Sequence, residues 1–171
     1  MKKIVLTFGL ISGGILSTLM LASMSLIGSL SFSQAEVLGY TTIVLASLLI
    51  FFGVRRYREN AGGTMTFGTG FLVGLLITLL STSIYVATWE FVYFGLMPGL
   101  GDKYAAMMVD EARADGKSQA EIDALVSETA KYKALYDEPL FNAAITFAEP
   151  FPVGLVVSLV SAAVLRRKAA A

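Results

Sequence analysis

Four long, almost uncharged apolar runs occupy most of this chain, and they leave few folds open to it. They cover residues 4–27, 37–54, 67–94 and 144–165. About 20 predominantly apolar residues cross a bilayer core as a helix. In lipid, every backbone N–H and C=O must be satisfied internally, which helices do within one segment. The sequence therefore reads as an all-α integral membrane protein with four transmembrane helices. Composition agrees. The chain is 56% hydrophobic and only 15% charged, with a mean hydropathy of +0.71. Soluble domains are about a quarter charged.

The first run is much longer than the roughly 7–15 apolar residues of a signal peptide. Ser33 to Ala35 resemble a cleavage site, but an uncleaved first helix is the better reading. SLSFSQAE then reads as a connection, and ENAGG, Glu59 to Gly63, as a turn. Tyr85, Trp89 and Tyr93 gather at the far end of the third run, as aromatic rings do at headgroup level.

Residues 102–138 are different material, with nine acidic and five basic residues. DKYAAMMVDEARADG predicts a short helix with Asp102 as N-cap and Gly116 at its end. Ser118 and Glu121 form a capping box. Ile122, Leu125, Val126, Thr129, Tyr132 and Tyr136 then recur at helical spacing, and Pro139 ends the pattern. The insert is expected to be a helical hairpin between the third and fourth spans.

Charge orients the whole. Lys2 and Lys3, Arg55, Arg56 and Arg58, and Arg166, Arg167 and Lys168 fall on one side of a four-span chain. The positive-inside rule makes that side the cytoplasm. Both termini are then cytoplasmic and the hairpin is extracytoplasmic, which in a bacterial inner membrane means periplasmic.

With no cysteine and no histidine, disulfides, thiol nucleophiles, haem ligation through histidine and a Ser-His-Asp triad are excluded. No clustered acidic motif suggests a metal, and no phosphate-binding glycine loop suggests a nucleotide. No cofactor is expected. The basic residues are short clusters at membrane edges, so nucleic acid is not a partner.

Small residues mark where helices meet, because lipid is as apolar as leucine and close packing drives association. Gly9, Gly13 and Ser17 recur on the first span, Gly70 and Gly74 on the third, and Gly154, Ser158 and Ala162 on the fourth. These faces either pack one bundle or form a seam with a second copy. Each pair of spans ends in a basic cluster, a weak echo of a repeat that any four-span chain obeying the charge rule would also show.

Two acids interrupt the apolar runs. Counting back from Leu165 at about 1.5 Å per residue puts Glu149 roughly 24 Å from the inner edge, just inside the outer boundary. Glu90 reaches a similar depth on the third span, beside Trp89. An ionisable group in a span is a functional-site candidate. Glu90, Glu149, Trp89, Tyr85 and Pro150 form the candidate polar pocket. Structurally, the acids would cap backbone groups freed by Pro150, or meet Lys103, Lys131 or Lys133 of the hairpin. Functionally, they would line a cavity taking a proton or cation. Glu90 shares a face with Ala87, Ser83 and Thr82, small and polar enough to be expected against protein. No acid continues below it, which argues against a path across the membrane.

The stretches YRENAGGTMTFGTGFLVGLLITLL (57–80), IYVATWE (84–90), DKYAAMMVDEARADGKSQAEI (102–122) and EPLFNAAITFAEPFPVGLVVSLVSAAVLRRK (138–168) resemble, in the same order, the bacterial domain-of-unknown-function 4199 family. The resemblance implies a four-span bacterial membrane protein with a helical insert before the last span, and no activity. The expectation is a non-enzymatic inner-membrane protein whose hairpin covers the bundle or binds a partner. That partner would be a membrane or periplasmic protein, or a second copy, besides the bilayer itself. The alternative is a small transporter or ligand-binding protein using Glu90 and Glu149.

Overall fold

The computed structural model describes residues 1–26 and 29–167. Ile27, the expected end of the first span, and Lys168 of the last basic cluster lie outside the described residues. The helices are α1 (Lys2–Met24), α2 (Phe32–Asn60), α3 (Phe67–Glu90), α4 (Leu100–Ala114), α5 (Gln119–Tyr136), α6 (Pro139–Ala148) and α7 (Pro150–Leu165). A π-helical turn, Phe91–Leu96, continues α3. Four helical stretches are long and apolar enough to cross a membrane: α1, α2, α3 with its π turn, and α6 with α7.

The helices outrun the apolar runs that announce them. Ser31 caps α2, its hydroxyl accepting from Gln34 N–H at 3.3 Å while the Gln34 side chain returns to Ser31 N–H at 3.1 Å. This capping box makes a helical turn of residues that the sequence alone presents as a connection. At 29 residues, α2 is about 44 Å long, so both ends stand clear of a bilayer core of about 30 Å. The fourth span likewise starts at Pro139 and is broken at Glu149, where Pro150 opens α7. Pro at the first helical position needs no donor there. Asp102 is not the cap of α4. Gly99 is, at φ +88°, and the helix starts at Leu100.

Helix α3 is central, packing against α1, α2, α6 and α7. Its glycine face meets α7. A methyl built on Gly74 would lie 2.8 Å from Ser158 Cβ, and one on Gly70 3.3 Å from Ala162 Cα. Gly154 lies directly against the Thr78 side chain. On α1, Gly9 faces Leu80 and Gly13 faces Ile84, where a methyl would come within 2.6 and 2.9 Å. Hydroxyls bridge the same seams: Ser17 with Thr88 at 3.0 Å, Thr78 with Ser158 at 3.1 Å, and Ser12 donating to the Ala46 carbonyl at 3.1 Å. Such bonds between membrane helices contribute about 0.6 kcal/mol each.

Two apolar clusters fill the interior. Ile50, Val54, Met65, Val73, Ile77 and Leu165 occupy one end. Leu16, Met20, Ile43, Ala46, Tyr85 and Val92 occupy the other. At the first end, Met65 and Arg167 exchange backbone hydrogen bonds of 3.0 and 2.9 Å, tying the end of α7 to the turn after α2. The helices α4 and α5 pack against each other beyond the second end, with Gly116 at φ +74° in the turn between them.

Candidate functional site

A cavity of about 330 Å³ lies between the second apolar cluster and the α4–α5 pair. Met20 and Met24 of α1 and Ile43 of α2 form its base. Tyr85, Trp89 and Tyr93 of α3 and its π turn form one wall, and Phe32, Glu36 and Tyr40 of α2 the opposite one. Tyr104 and Met108 of α4, with Thr129, Tyr132 and Tyr136 of α5, form the roof. Glu149 enters at the break between α6 and α7.

Local sequence explains each placement. The π turn closes with Met97 N–H donating to the Val92 carbonyl at 2.9 Å. One extra residue per turn rotates the side chains beyond it, and Tyr93 is buried while Phe91 and Phe94 are exposed. Gly101 is where α4 crosses Tyr93. A methyl there would lie 2.6 Å from the tyrosine oxygen. The stripe on α5 divides. Ile122 is buried and Leu125, Thr129 and Tyr136 are half-buried, whereas Val126 and Tyr132 are half exposed, at 49% and 50%.

Two polar latches hold the roof. In the first, Tyr93 donates to Asp137 at 2.7 Å, and Lys133 pairs with Asp137 at 2.8 Å and Asp102 at 3.5 Å. Lys133 and then Tyr93 hold the Asp137 carboxyl below its usual value. Asp137 in turn raises the Lys133 ammonium. In the second, the Glu111 carboxylate accepts from Ser33 N–H at 3.1 Å and from the Ser33 hydroxyl. The Ser33 contacts lower its pKa, and it sits where the α2 dipole favours negative charge.

Behind the roof lies a buried polar network. Asn142 is fully buried. Its amide donates to the Tyr136 carbonyl at 3.0 Å and accepts from Thr146 at 3.2 Å, and Thr146 meets the Tyr136 hydroxyl at 3.3 Å. Burial pushes the Tyr136 phenol up to about 12 and raises Tyr104 as well, so both stay protonated at neutral pH. The network fixes the start of the fourth span against the end of α5.

Of the residues singled out from sequence, Glu149, Tyr85 and Trp89 line the cavity. Pro150 is fully buried directly behind Glu149. Glu90 does not join them. Of the residues expected on its face, Ser83 and Ala87 are exposed, in line with Leu72 and Leu79 at 43% and 37%, whereas Thr82 is buried at 1%, and Glu90 is half-buried with one carboxylate oxygen enclosed and unpaired among the described residues. The side carrying Ser83 and Ala87 points away from the bundle, because the interior of α3 is filled along Val73, Ile77, Ser81 and Tyr85. Small size alone does not separate a protein-facing from an outward stripe. The acid that lines the cavity together with Glu149 is Glu36. The box at Ser31–Gln34 is the signal that places Glu36 on a helix. Lys133 meets Asp102 and Asp137, and no lysine or arginine pairs with Glu90 or Glu149 among the described residues. Asn142 and Thr146 carry no sequence signal beyond a small polar residue every fourth position.

The family model described as "Protein of unknown function (DUF4199)" matches residues 7–167. No curated protein and no solved structure matches the chain.

Proposed function

We propose that this chain, which belongs to the DUF4199 family of proteins of unknown function, is a membrane protein that binds a small molecule in the cavity under its α4–α5 hairpin. The observation that carries the reading is the cavity itself, about 330 Å³ and within the roughly 300–1,000 Å³ of ligand pockets. Apolar and aromatic walls with a few convergent polar groups are what such sites need. Binding rather than catalysis is favoured, since the chain has no histidine and no cysteine to make the nucleophile–base pairs that covalent catalysis commonly uses. Binding is also favoured over transport. Beyond the cavity the bundle is filled by Ile50, Val54, Val73 and Ile77 and by hydroxyls bonded within the helix seams, with no ionisable carboxylate, lysine or arginine between the cavity and the basic end to relay a proton or ion.

Charge supports an orientation. The ends carrying Lys2, Arg55 and Arg166 lie opposite the hairpin, so the positive-inside rule favours cytoplasmic termini and a periplasmic hairpin in a bacterial inner membrane. Native mass spectrometry in nanodiscs tests the binding role. A small molecule should leave the wild-type chain on activation and be missing from Gly39→Phe. Gly39 lines the cavity and has open space where a side chain would grow. Equal occupancy of both, or none in either, overturns the reading.

A second reading has the hairpin dock another membrane or periplasmic protein. Its support is the outward apolar pair Val126 and Leu135 on α5, exposed by 49% and 53%. It requires that Val126→Ser with Leu135→Ser dissolve a complex of fixed stoichiometry, and unchanged assembly removes it.

A further inference from the structure

The charges around the cavity are unbalanced. Glu149 enters its wall at the helix break and Glu36 stands on α2. One lysine, Lys133, also lines it, but its ammonium lies 2.8 Å from Asp137 and 3.5 Å from Asp102. Two acids therefore line a half-open, largely apolar cavity, Glu149 half-buried and Glu36 exposed, and its one lysine is already matched by two other carboxylates. Much of the remaining wall is aromatic, with Tyr85, Trp89, Tyr104, Tyr132 and Tyr136. Faces of such rings attract a cation, most strongly where water is excluded. An anion would meet repulsion from both acids.

We infer that the cavity takes a small organic cation, an amine or quaternary ammonium bearing an aromatic or branched apolar body. The inference rests on the binding role proposed above and adds the sign of the ligand's charge. The cationic group sits between Glu149 and the ring faces. The apolar body lies against Met20, Met24 and Met108, side chains flexible enough to shape themselves to it. The ammonium has two sources, a soluble amine or the headgroup of a choline or ethanolamine lipid at the membrane edge.

The chain has one tryptophan, and it lines the cavity, so its emission reports occupancy. The full chain in phosphatidylglycerol nanodiscs is titrated with benzyltrimethylammonium, with its uncharged carbon isostere neopentylbenzene, and with phenylmethanesulfonate. The ammonium should give a saturable change at least about tenfold tighter than either analogue, as one partly desolvated charge contact provides. Glu149→Gln should remove most of that preference, and Gly39→Phe should abolish the change. Equal affinity for the isostere or the sulfonate overturns the cation assignment and leaves the binding role standing. If no probe gives a saturable change, the binding role falls with it. Repeating the titration at matched surface charge, in phosphatidylglycerol discs mixed equally with phosphatidylcholine or with an uncharged glycolipid, separates the sources. A headgroup occupant competes and weakens the soluble ligand, whereas a soluble-amine site titrates alike in both lipids.

Discussion

At the scale of single residues, glycines decide how closely the helices approach. Gly74→Val would drive a branched side chain into Ser158, whose Cβ lies 2.8 Å from the position of the first added carbon. Overpacking of this kind costs about 1–3 kcal/mol, so the melting temperature in detergent or nanodiscs should fall. Gly14→Val, where nothing lies within 4 Å of the added carbon, should melt like the wild type. Equal effects of the two would contradict the packing described. The spacing of these glycines is legible in the sequence, whereas the partner of each is not, because spacing marks a face and not what covers it. The acids teach the same lesson. Counting residues gives the depth of Glu90 and Glu149, but direction around a helix depends on which neighbours fill the interior. Of the two, only Glu149 lines the cavity, and Glu36 reaches it from a stretch too polar to announce a helix.

At the scale of elements, the hairpin is a roof held by charges at its edges. The Asp137 carboxyl has a depressed pKa in the folded chain. Its contribution is present above the ordinary value of 3.8 and is lost as pH falls through the lower folded value. The Lys133 ammonium is raised. Its contribution is present below the ordinary value of 10.5 and is lost as pH rises through the higher folded value. Docking should therefore be firmest between about 4 and 10. A spin label at Ser127, on the exposed side of α5, should gain mobility below that window. In Asp137→Asn it should already be more mobile at pH 7. A label equally immobile in both proteins and at every pH would rule the latch out. The Ser118–Glu121 box and the apolar stripe after it make α5 legible in the sequence, and the structure carries that box. The start of α4 is less so, since a left-handed glycine does the work expected of Asp102. The π turn leaves no periodic trace because it shifts the phase of the helix only once.

At the scale of the whole molecule, four apolar runs are enough to count the spanning helices, since each need only exceed the thickness of a bilayer core. Their helical lengths are not legible from hydropathy, which marks the lipid-facing part alone. Sidedness rests on the basic ends. The chain has no cysteine, so single cysteines map it cleanly. Ser118→Cys in the hairpin turn should react with a membrane-impermeant maleimide in intact cells, and Gly62→Cys only after lysis. The reverse pattern would overturn the orientation. The hairpin, the fourth-span break and the α2 extension converge on one half-open cavity, and no single run of sequence foretells it. The central claim is that this space holds a ligand. Its most direct test places 5-fluorotryptophan at Trp89, the sole tryptophan, and tracks the ¹⁹F resonance as small-molecule extract of the native membrane is added. A saturable shift is expected in the wild type and none in Gly39→Phe. No shift, or the same shift in both, would contradict it.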